Sequence, residues 1–183
     1  MNFKGHLYGG LAAGATGIAI GASLGGLPRL GTIQLHPLGD SEITWILTFG
    51  MGLFMGLFPD LDVASKPQRW YFRFALLLLL FLFHLEEWLL LSFLAGFSFL
   101  PLLHQHRGWT HQLWAPWLLC FGCLWMMEVY RAEQSWFFGF SWDNLSHPLQ
   151  QGWPWLLSGI LGHYTHLLLD SKLVLGLRSR GHY

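Results

Sequence analysis

A chain of 183 residues has the length of one domain, and at 53% hydrophobic against 11% charged it is too oily for an ordinary soluble domain of that size. Lys+Arg 10 balances Asp+Glu 10, so net charge gives no reason to expect nucleic acid as a partner. Together with a mean hydropathy of +0.40, 11 Trp and 15 Phe, this reads as one integral-membrane domain spanning 1–183. The expected fold is all-α, a polytopic transmembrane helical bundle.

Apolar stretches approaching the ~20 residues that span a bilayer as a helix suggest six crossings, some of them short. The first runs from about Gly5 to Leu27 and is closed by Pro28. It resembles a signal peptide in outline, but it exceeds a typical apolar core and no polar domain follows, so it reads as a retained helix. Gly10, Gly14, Gly17, Gly21 and Gly25 give it small-xxx-small spacing, which lets a neighbouring helix approach closely. The second crossing runs from about Ile43 to Phe58 and stops at Pro59. Between Trp70 and Leu103 a single helix would bury the carboxylates of HLEE in mid-bilayer, so two short helices turning there cost less. A fifth helix covers about Trp109 to Tyr130, a polar aromatic loop follows, and a sixth runs from about Trp153 to Leu169. Cys120 and Cys123, in LLCFGCLW, have no second pair and no polar company, so they read as small buried residues.

This trace places Lys4, Lys66, Arg69, Arg73, Arg107, Lys172, Arg178 and Arg180 on one face, with Arg29 and Arg131 on the other. The positive-inside rule makes the first face cytoplasmic, with both termini in the cytoplasm. On that face GHLYGG supplies His6, FPDLD supplies Asp60 and Asp62, HQHRGWTH supplies His104, His106, Arg107 and His111, and GHYTHLLLD supplies His163, His166 and Asp170. The last group falls at i, i+3 and i+4 spacings, which share one helix face. Imidazole and carboxylate without thiolate suit Zn²⁺ first, with Mn²⁺ or Fe²⁺ as alternatives, and the number of candidates allows one or two ions. Arg107 suits an anionic substrate, which it would hold by bidentate hydrogen bonds.

The four segments together resemble the YdjM-like family of inner-membrane, membrane-bound metal-dependent hydrolases, described as LexA-binding. That family's pattern runs G-H, then L-P-D-[IL]-D, then H-R-G-x-T-H, then G-x-x-x-H-x-x-x-D. The chain carries the pieces in order, with Phe58 in place of the usual Leu and a short tail after Asp170. The resemblance implies a location in a bacterial inner membrane and metal-binding roles for His6, Asp60, Asp62, His106, His111, His166 and Asp170.

The expected activity is therefore metal-dependent hydrolysis at the cytoplasmic face, with membrane lipids as neighbours and a lipid or lipid-linked phosphoester as substrate. Asp62, Asp170 or His163 would serve as general base, and Arg107 would grip the phosphate. A competing reading is a non-catalytic membrane protein whose histidines hold haem or a chlorophyll-type pigment. Transport is a third, and it would want polar residues continuing through the bilayer.

Overall fold

The computed structural model describes residues 3–25, 40–62, 66–103, 109–134 and 141–171. The α-helices are α1 (Phe3–Ser23), α2 (Asp40–Leu57), α3 (Lys66–His84), α4 (Trp88–Phe99), α5 (Ala115–Gln134) and α6 (Ser146–Asp170). Short 3₁₀ turns cover Phe58–Asp62, Leu100–Leu103, Trp109–His111 and Trp142–Leu145. The chain forms two compact units, one from Met1–Leu57 with Leu149–Tyr183, the other from Phe58–Pro148.

In the first unit α1, α2 and α6 meet through glycine. A methyl group added at Gly52 would lie 2.5 Å from the backbone nitrogen of Gly14 and 2.6 Å from Ser158 Oγ. One added at Gly17 would lie 2.5 Å from Ser158 Cβ, and one at Gly162 would strike the carbonyl oxygen of Gly52. Real Cβ atoms do not come this close, so these positions require hydrogen if the helices are to keep their spacing. The small-residue pattern of α1 thus serves as a packing surface, and α2 and α6 carry its counterparts.

In the second unit α3 and α4 form a hairpin at HLEE, where the two-helix reading placed the turn. The N–H of Glu87 donates to the Leu82 carbonyl (3.0 Å) and that of Glu86 to Phe83 (3.2 Å). This double closure ends α3 with Glu86 in the left-handed region at φ 60, a conformation that glycine adopts more cheaply. Along the hairpin, Ser98 of α4 hydrogen-bonds the Tyr71 phenol of α3, and burial holds that phenol above its ordinary pKa. The rings of Phe93 and Trp125 meet edge to face at 5.7 Å, tying α4 to α5. On α5, burial lifts the Cys120 thiol to about 12, helped by the neighbouring Cys123, which is itself raised to about 11. Both thiols stay protonated near neutral pH and are poor metal ligands there.

Among the described residues no helix is long and apolar enough to cross a membrane. This overturns the transmembrane bundle and, with it, the inner-membrane location, the cytoplasmic termini and the assignment of charges to two membrane faces. The all-α class stands. Each helix falls short for a local reason. α4 has 12 residues, about 18 Å at helical rise against a hydrocarbon core of ~30 Å. α3 carries Lys66, Arg69 and Arg73 in its first half, and α5 closes on MEVYRAEQ. α2 opens on DSE, α6 opens on SHPLQQG, and much of α1 is glycine, alanine and serine. Tryptophan counts toward the 53% hydrophobic fraction without lengthening any span. The apolar excess instead lies partly on the surface, where α3 exposes Trp70, Phe74 and Phe81 and α5 exposes Trp117 and Phe121.

The close helix contacts in the first unit predict opposite outcomes for two glycines. Gly162→Ala should destabilise the protein by roughly 1–3 kcal/mol, because it forces backbone apart. Gly50→Ala, at a helical position with nothing within 4 Å, should be neutral or stabilising by up to ~1 kcal/mol. Chemical denaturation of both variants checks this, and equal effects would contradict it.

Candidate metal centre

His6 lies near the start of α1, and His166 and Asp170 lie in the last turns of α6. Both imidazoles are buried, at 2% and 1% exposure. Their rings stack with centroids 3.9 Å apart and planes inclined by 20°. Asp170 divides its carboxylate between them. Its Oδ1 is 3.2 Å from His6 Nε2, and its Oδ2 is 3.8 Å from His166 Nε2. The other nitrogen of His166, Nδ1, lies 2.8 Å from the Gly56 carbonyl oxygen of α2. A carbonyl can only accept, so Nδ1 carries the proton. In the neutral ring the lone pair is then on Nε2, on the side that faces Asp170.

The FPDLD turn continues directly from α2 and brings a fourth residue. One donor atom from each of His6, Asp60, His166 and Asp170 lies within 4.8 Å of the others, so the cluster could hold a metal ion. Nitrogen and carboxylate ligands bind zinc at about 2.0–2.2 Å, which sets donors of one tetrahedral shell roughly 3.4 Å apart. The 3.2 and 3.8 Å separations fall on either side of that spacing. The hydrogen bond from His166 to Gly56 is the outer contact that metal-binding imidazoles commonly make. The residues present therefore fit a divalent ion, and the donor types favour Zn²⁺, Mn²⁺ or Fe²⁺ over soft-metal chemistry.

The remaining sequence candidates are placed differently. Asp62 closes the 3₁₀ turn two residues beyond Asp60, and its side chain lies outside the described residues, as do His104, His106 and Arg107 altogether. His111 ends the Trp109–His111 turn, with its Nδ1 3.2 Å from Thr110 Oγ1, and does not belong to the group of four. His163, one turn before His166 on α6, is fully buried and also stands apart from that group. Gly56 escaped the sequence reading because its part is played by a backbone carbonyl. The signal that points to it is the small-xxx-small pair Gly52 and Gly56 in GLFMG on α2.

The centre predicts that the purified protein binds one zinc ion per chain, with His166→Ala and Asp170→Ala each losing at least ~10²-fold in affinity. At free zinc about 100 times Kd, the wild type should gain about 2.7 kcal/mol of stability, and the variants should gain little. Elemental analysis and thermal melts check this; variants that keep full metal content would contradict it.

No protein-family model, no curated protein and no solved structure matches the chain.

Proposed function

We propose that the chain is a metal-dependent hydrolase acting on a phosphoester. The observation that carries this reading is the hydrogen bond between His166 Nδ1 and the Gly56 carbonyl, which turns Nε2 toward Asp170 beside the stacked ring of His6. A buried constellation of that kind has the features of a ligand set already arranged for a cation. The resemblance to the YdjM-like hydrolases supports the same reading, since His6, Asp60, His166 and Asp170 are all positions its motif implies.

A divalent ion bound there would supply Lewis acidity toward water and toward the scissile group. The residues have separate tasks. His6 and His166 bind through neutral nitrogen, and their burial keeps bulk water from that side. Asp170, whose side chain is 16% exposed, lies at the more open edge, and its carboxylate can take the proton of an attacking water. Asp62 and His163 are alternative bases from the sequence pattern. Arg107, beside His106 in HRGWTH, would hold the anionic ester by two parallel hydrogen bonds. This favours phosphoesters over amides and carboxylic esters. The exposed aromatic residues of α3 and α5 support a lipid or lipid-linked phosphoester over a small polar one.

The pigment reading has less support. Rings stacked at 3.9 Å leave no room for a macrocycle between them. Both Nε2 atoms also face the Asp170 carboxylate rather than open space.

Zinc- or manganese-loaded protein should hydrolyse bis(p-nitrophenyl) phosphate or a phospholipid headgroup ester. Chelation should abolish turnover, and Asp170→Ala should reduce it by ~10²-fold or more. A loaded, folded protein that is inactive on phosphoesters but cleaves p-nitrophenyl acetate would move the assignment to carboxylic esters. One inactive on both would contradict a hydrolase.

A further inference from the structure

Gly56 makes two contacts that concern different helices. Its carbonyl oxygen accepts the proton of His166 Nδ1 at 2.8 Å. Its missing side chain admits α1, since a methyl group there would lie 2.7 Å from Gly10 Cα. Gly10 is one turn from His6 on the same helix. The residue that orients one imidazole is thus also the one that lets the helix bearing the other come near. Both contacts fall within the first compact unit. A side chain at position 56 would disturb both at once, pushing α1 outward and displacing the carbonyl that holds His166.

We propose that Gly56 is a positioning residue of the metal centre, fixing His166 as an Nε2 ligand and setting the approach of His6. This rests on the metal-binding reading and adds to it the atom through which each ring binds. His166 offers Nε2 because Nδ1 is committed to the carbonyl, and His6 offers Nε2 because that atom faces the Asp170 carboxylate at 3.2 Å. Both Nε2 atoms lie on the side of the Asp170 carboxylate, that of His6 3.2 Å from its Oδ1 and that of His166 3.8 Å from its Oδ2.

The wild-type protein suffices for the first test, so folding of a variant does not limit it. Protein labelled with ¹⁵N-histidine is loaded with ¹¹³Cd²⁺, and nitrogen–cadmium coupling is read for each ring. The expected spectrum shows coupling at Nε2 of His6 and His166, with a slowly exchanging proton on His166 Nδ1. Coupling at His166 Nδ1 would overturn the proposal while leaving the metal site in place. Failure of the wild type to bind any ion would overturn the metal-binding reading, and the proposal with it.

The second test compares Gly56→Ala with Gly17→Ala. The latter forces a methyl against Ser158 in the same helix packing without touching Gly56 or His166. Gly56→Ala should weaken zinc binding by ~10–100-fold and lose the protected Nδ1 proton. Gly17→Ala should lower the melting temperature and leave zinc affinity unchanged. Equal loss of affinity in both variants would show a general packing effect and overturn the positioning role.

Discussion

Helices that touch through backbone rather than side chains cannot slide to a new register without collision. α1, α2 and α6 are packed in this way, and the collisions a single methyl would cause at Gly52, Gly56 and Gly162 are with backbone atoms of the facing helices. Such a seam is stiff because it has no rotamers with which to absorb a shift. It carries His6 on one helix and His166 with Asp170 on another, and it supplies the Gly56 carbonyl from the third. The geometry of the candidate centre is therefore inherited from the closeness of the helices.

That inheritance explains an otherwise costly arrangement. Two imidazoles and a carboxylate are drawn into a largely buried site, where polar groups are expensive unless they are satisfied. The carbonyl at His166 Nδ1 reduces the cost at one ring, while the Asp170 carboxylate and the Nε2 atoms converge on the same space. A divalent ion would satisfy the lone pairs that converge, linking metal binding to folding of the α1, α2 and α6 packing. The Cys120 and Cys123 pair is the contrasting case. Burial without polar company raises both thiols and leaves them as packing residues.

Much of this was legible in local sequence. Pro59 after an apolar run marked the end of α2, and HLEE marked the α3–α4 turn because its two carboxylates fit no helix interior. The i, i+3, i+4 spacing in GHYTHLLLD put three polar residues on one face of α6, and GHLYGG and FPDLD offered matching ligand types. What was not legible depends on distance along the chain. The Gly56 carbonyl has no sequence signature as an acceptor, and its partner is 110 residues away. Nor does periodicity separate His163 from His166, although only the second joins the cluster. The membrane expectation failed because composition counts residues without regard to continuity. Charges in α3 and α5, the short α4 and the glycine content of α1 interrupt what the percentages suggested. α6 also begins at Ser146, ahead of the expected Trp153, because a proline in the first turn of a helix removes an N–H that has no partner there anyway.

The central claim is that His6, His166 and Asp170, with Asp60, close on a single divalent cation. Anomalous diffraction at the zinc edge from crystals of the zinc-loaded protein tests it most directly. The account predicts one peak per chain, about 2.0–2.2 Å from Nε2 of His6, Nε2 of His166 and a carboxylate oxygen of Asp170. A loaded crystal whose peak lies at other histidines, with these three side chains unligated, would contradict it.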